Sequence, residues 1–210
     1  MEFYAVIDTN VIVSSILSKK EGSATKRIID LVKDGTIIPM YNEEIVAEYE
    51  AVLKRDKFLF TSEVTDNLMD VITSKGIDCD RKRTNCFMPD PDDIVFYEIS
   101  LSREDAYLVT GNLKHFPKNG RVVSPADMVQ IIALAECPKD VLCESPGPGY
   151  KSEEQREICE RGWAAIEKIR ANAVLNGTAD MSLEEINEEI RLARIELRER
   201  RAREQAAKQE

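Results

Sequence analysis

The chain has 210 residues, 43% of them hydrophobic, enough for one sizeable core plus an appendage, and no apolar run approaches the roughly 20 residues that span a bilayer. With 39 acidic against 29 basic residues the net charge is −10, which excludes a protein that coats nucleic acid with a basic surface but not an enzyme that meets phosphates through a bound cation. Cys79, Cys86, Cys137, Cys143 and Cys159 are scattered and form no C-x-x-C pair, so the expectation is a soluble, cytoplasmic protein with reduced thiols.

The opening FYAVID is an apolar, β-branched run, and predicts a buried strand with Asp8 at its C-terminal end. VIVSSIL predicts the helix that follows. A second helix is expected over Ala24 to Lys33, with Ile28, Ile29, Leu31 and Val32 as its apolar face and Gly35 as its stop. TIIPM then reads as a short strand. From Asn42 to about Lys54 the apolar residues Ile45, Val46, Tyr49, Val52 and Leu53 have helical spacing, and Asn42 suits the N-cap. Steps of 100° place Glu48 within about 60° of both Ile45 and Val52, at the border of the buried stripe, while Glu43 and Glu50 point away. A further helix near Ser62 to Ser74 precedes GIDCD, to which no element is assigned.

In MPDPDDIVFYEIS, Asp90 reads as an N-cap, Pro91 as the first helical residue and Asp92 as a partner of the helix dipole. Asp93 is the acid without such a role, although spacing alone leaves Asp92 against Asp93 open. The helix runs to about Leu101. YLVTG and RVVSP predict two more buried strands, followed by a helix through Ala133. Strands alternating with helices at this spacing imply a three-layer α/β/α sandwich with a central parallel sheet over residues 1–137. Ligands in such sheets bind beyond the carboxyl ends of the strands, where Asp8 and Asn112 both fall.

Residues 138–151, with PKD and SPGPG, read as a linker, and 152–210 as a helical tail. Ser152 with Gln155, and Ser182 with Glu185, make two capping-box patterns. The second opens a helix whose Leu183, Ile186, Ile190, Ala193 and Leu197 form a narrow seam that needs a partner surface.

Each polar residue of interest has an ordinary reading as well. Asp8 suits an N-cap, Glu48 a solvated helix charge, and Thr110 with Asn112 a strand-to-helix turn that can also hydrogen-bond a phosphate or a metal-bound water. His115 is the single histidine, expected in a loop or cap, so a His-based relay is not indicated. A cluster of Asp8, Glu48 and Asp93 persists only if protonated or paired with cations, because two carboxylates about 4 Å apart repel by roughly 4 kcal/mol at an effective dielectric near 20. Oxygen donors without Cys or His favour Mg²⁺ or Mn²⁺.

The ordered set VIDTNVIVS, EIVAEYEAVL, PDPDDIVFYEIS and YLVTGNLKHFP resembles the PIN-domain family over nearly all of residues 3–137, and in particular the endoribonuclease toxins of toxin–antitoxin systems. That resemblance implies a Mg²⁺- or Mn²⁺-dependent ribonuclease with RNA as substrate. It places Asp8, Glu48, Asp93 and Asn112 at catalytic positions, Asp8 and Asp93 at metal-ligand positions, and Asn10 and Thr110 near substrate. Where many members carry a fourth aspartate, this chain has Asn112, which weakens any second metal. The tail from Glu160 to Arg201 resembles the C-terminal part of small antitoxins of the RelB/DinJ kind. It implies that the tail covers the core, in its own chain or in a swapped homodimer, and a homo-oligomer is expected. Arg191 and Arg194 are read as solvated charges, with approach to the carboxylates as the alternative. A dehalogenase-like phosphatase is disfavoured because its second aspartate would fall at Asn10. The competing class is an inactive PIN-like scaffold that acts as a binding or assembly module.

Overall fold

In the computed structural model, which describes residues 1–136 and 178–207 and scattered helical positions from 153 to 174, five parallel strands form one sheet. The strands are β1 (Phe3–Ile7), β2 (Ile37–Tyr41), β3 (Ile77–Asp78), β4 (Tyr107–Val109) and β5 (Val122–Val123), in spatial order β3-β2-β1-β4-β5. The chain builds outward from β1 to β3, then crosses to the other side of β1 for β4 and β5. The order therefore reverses between β1 and β4, where a crevice opens at the carboxyl ends of the strands. Ala5, Val6, Ile7, Leu108 and Val109 are all buried, as a parallel sheet covered on both faces requires.

The helices described without a break are α1 (Thr9–Leu17), α2 (Ala24–Lys33), α3 (Glu43–Leu53), α4 (Ser62–Lys75), α5 (Ile94–Ser100), α6 (Pro125–Glu136) and α7 (Leu183–Ala207). Their ends follow local chemistry. Asn42 caps α3 by accepting from the Ile45 amide at 3.0 Å, and Gly35 just past α2 takes φ +81°, which a side chain would resist. Asp90 accepts from the Asp92 amide at 3.0 Å, and Pro91–Asp93 form a 3-10 turn that leads into α5. The helix expected from Asp92 thus begins as a tighter turn.

β3 carried no signal in the sequence because it is two exposed edge residues, paired through Met40↔Ile77 and Tyr41↔Asp78. Gly76 before it allows that pairing: a Cβ there would lie 2.7 Å from the carbonyl oxygens of Ile72 and Pro39.

The tail helix α7 starts with the expected capping box, Ser182 N to Glu185 Oε2 at 2.8 Å and Glu185 N to Ser182 Oγ at 3.2 Å. It lies across α1 and α3 of the same chain. Ile186, Ile190, Ala193 and Leu197 are buried there, and each large aliphatic side chain contributes about 1.5–3 kcal/mol by leaving water. Leu183, half-buried, reaches the Gly111 turn. Arg55 at the end of α3 pairs with Glu189 at 3.0 Å and Glu196 at 2.5 Å, and Arg170 donates to the Ser15 carbonyl of α1 at 3.3 Å. The linker 138–151 and the Ser152–Gln155 cap lie outside the described residues. Among the described residues no helix is long and apolar enough to cross a membrane, and Cys79 and Cys86 are free thiols.

Candidate active site

At the crevice between β1 and β4, the Asp8 amide donates to the Val109 carbonyl at 2.9 Å, continuing the strand register of Ile7↔Val109 by one residue. That pairing sets Asp8 beside Thr110. The Thr110 hydroxyl donates to Asp8 Oδ2 at 2.6 Å, and the Asn10 side-chain amide donates to the same oxygen at 2.8 Å. Asp8 also caps α1 through the Asn10 backbone amide, so its capping role and its place in the cluster coexist. Asn10 Oδ1 in turn accepts from the Gly111 amide at 3.0 Å, and a Cβ on Gly111 would press on that oxygen at 3.1 Å. Thr110 and Asn10, expected near substrate, are both buried and direct their side chains at Asp8.

Glu48 enters from α3. Its helix is fixed to β1 by the Tyr49 hydroxyl, which donates to the Ile7 carbonyl one residue before Asp8. Glu48 is 5% exposed and accepts from the Thr9 hydroxyl at 2.6 Å. Asp93, on the turn into α5, is 4% exposed and completes the set. The structure thereby separates Asp93 from Asp92, which sits aside with Arg198 at 3.4 Å. Asn112 lines the same cleft, its amide donating to Thr110 Oγ1 at 2.9 Å.

A guanidinium joins these acids. Arg194 of α7 donates to Glu48 through Nε at 3.0 Å and Nη2 at 2.9 Å, and through Nη1 to Asp93 and Asp90, each at 2.8 Å. It is 6% exposed, so the sequence reading of a solvated charge is corrected for Arg194. Arg191, paired with Glu188 on the helix surface, does match that reading. The signal for Arg194 was its spacing, four residues after Ile190 and three before Leu197, which puts it on the seam face. Three further groups escaped sequence reasoning: Thr9, the second role of Asp90, and His115, whose Nδ1 stands 3.0 Å from Asp93 Oδ2. Residues more than a hundred positions apart meet here, so no local pattern announces them.

Burial dominates the electrostatics. It raises the Asp8 carboxyl to about 6, helped by the neighbouring Asp93 and opposed by the Thr110 hydrogen bond and Arg194. Burial also raises Glu48 and Asp93 despite the adjacent guanidinium. Burial alone would lower Arg194, but Glu48 and Asp93 more than offset it and hold its charge firmly. Three buried carboxylates face one buried guanidinium, so the ionised cluster keeps an excess of negative charge. An oxygen-rich pocket with surplus negative charge fits a hard divalent ion. Among the described residues no three His, Cys, Asp or Glu side chains are grouped closely enough to hold one.

A parallel α/β domain with acids gathered at its topological switch point places them where such sheets bind their ligands. A profile of the PIN domain matches residues 4–114, more than half of the chain, and the protein belongs to that family. PIN domains are generally metal-dependent nucleases. No curated protein and no solved structure matches the chain.

Proposed function

We propose that the chain is a divalent-metal-dependent endoribonuclease of the toxin kind, held shut by its own antitoxin-like tail. The observation that supports this reading above all is the Arg194 guanidinium, seated between Glu48 and Asp93 where a cation is demanded. In the open state Asp8 and Asp93 would hold Mg²⁺ or Mn²⁺, with Glu48 beside them. Such an ion would supply Lewis acidity toward a water and toward the phosphoryl oxygens of RNA. Thr110 and Asn10 keep Asp8 oriented, and Thr9 does the same for Glu48. Asn112 and Lys114 line the cleft and can hydrogen-bond or charge-pair a phosphate there.

Tethering makes a modest intrinsic affinity of the tail sufficient, since a short linker gives an effective concentration near millimolar. The same contacts made between two chains would give a swapped dimer. The rival reading is an inactive scaffold in which Arg194 is a permanent structural ion pair, and it is favoured by Asn112 in place of an acid.

The test uses the full chain, alone, as Arg194→Ala, and as Arg194→Ala with Asp93→Asn, against a mixed RNA pool with Mg²⁺ or Mn²⁺. Cleavage should be weak in the parent, strong in the single variant and lost in the double variant. A folded Arg194→Ala protein that cuts no RNA with either ion would establish the scaffold reading instead.

A further inference from the structure

Asp93 is held from two sides. Arg194 Nη1 reaches its Oδ1 at 2.8 Å, and His115 Nδ1 stands 3.0 Å from its Oδ2. His115 closes the 3-10 turn Leu113–His115 after β4, its amide donating to the Asn112 carbonyl at 2.9 Å. The Asn112 side-chain amide lies 3.4 and 3.5 Å from the two ring nitrogens. At the position where a further carboxylate would add negative charge, this chain thus has an amide that stands against an imidazole. The imidazole in turn faces the outer oxygen of Asp93.

An acid that binds a cation through one oxygen needs its other oxygen occupied, or the carboxylate rotates and the ligand position is lost. Groups that orient metal-binding side chains in this way are commonly worth 10–100-fold in metal affinity. We propose that His115, backed by Asn112, is the positioning residue of the cation site: its Nδ1–H holds Asp93 Oδ2 and keeps Oδ1 aimed at the place now taken by the Arg194 guanidinium. The inference rests on the reading of this cluster as a metal site. His115 is not part of the hydrophobic core, and its side chain is 30% exposed, so its replacement leaves the packing intact.

The experiment measures Mn²⁺ binding to the full chain by calorimetry in an Arg194→Ala background, with Arg194→Gln as a second background should the first fail to fold. In either background His115→Leu should weaken Mn²⁺ binding tenfold or more, and His115→Asn, which keeps a donor, should recover most of it. Pulsed electron spin resonance of bound Mn²⁺ should show no strong coupling to an imidazole nitrogen, because His115 acts through Asp93. Equal Mn²⁺ affinity in His115→Leu and its background overturns this inference alone. Strong nitrogen coupling overturns it in favour of direct ligation. Folded Arg194→Ala and Arg194→Gln proteins that bind no Mn²⁺ overturn both this inference and the metal-site reading.

Discussion

Helices α3 and α7 each carry one charged side chain into the same cluster, but they are held in place differently. Glu48 sits on a helix that buries Ile45, Tyr49, Val52 and Leu53 in the central core, so its position does not depend on its charge. Arg194 sits on a long polar helix with a narrow seam, where the ion pairs with Glu48, Asp90 and Asp93 supplement little apolar area. The core therefore presents acids whether or not they are neutralised, while the tail docks where neutralisation is needed. Under the proposed function, occupation of the site by a metal ion and docking of the tail form one equilibrium.

The strongest attempt to break this contrast is charge reversal at its centre. Arg194→Glu adds a fourth carboxylate to the buried set and should cost at least the roughly 3–5 kcal/mol of a broken buried pair, read by urea unfolding. Asp93 and Glu48 would lose their cation at the same time, so added Mn²⁺ should restore part of the loss. A stability equal to that of the parent would mean that Arg194 does not dock α7.

Titration of the core acids sharpens the comparison from the other side. The folded-state value of Asp8, about 6, lies above its ordinary 3.8, so its protonated form favours the fold. That contribution is complete below about pH 4 and is lost as pH rises through 6, a fall of about 3 kcal/mol when the shift is converted to free energy. With chelator present, the Tm should decline from pH 4 to 7. Asp8→Asn should flatten the decline and raise Tm near neutrality, and an unchanged slope would remove Asp8 as its source.

The seam itself should matter less than Arg194. Ile190→Ala removes a buried side chain from α7 and should cost about 2–3 kcal/mol, while protease sensitivity rises first in the tail. Uniform protection across the chain would argue that α7 is no weaker than the core.

The smallest effects distinguish the flanking pairs. Arg55→Ala breaks two contacts from α3 to α7 and should cost about 1 kcal/mol, whereas Arg191→Ala should leave the unfolding midpoint unchanged. Equal losses from both would show general electrostatic attraction in place of specific pairing.

Strand and helix periodicity determined four of the five strands and the helices of the parallel α/β core by themselves. The caps at Asn42, Asp90 and Ser182 and the stop at Gly35 could be read locally because each depends on neighbours within three or four positions. Asp8 and Glu48 were legible as well, one from the strand it terminates and the other from its angle on α3. Asp93 was not separable from Asp92 by spacing, since adjacent residues on one turn differ only in which of them meets a neighbour. β3 was missed because two exposed residues carry no hydrophobic alternation. The tertiary structure alone decided that Arg194 closes the cluster, that His115 faces Asp93, and that the seam of α7 lies on α1 and α3. Each of these is a contact between distant segments, fixed when packing brings them together and when burial makes an unpaired charge costly. A sequence states which residues carry charge and which face of a helix is apolar, but only the assembled core decides which charge must be answered, and by what.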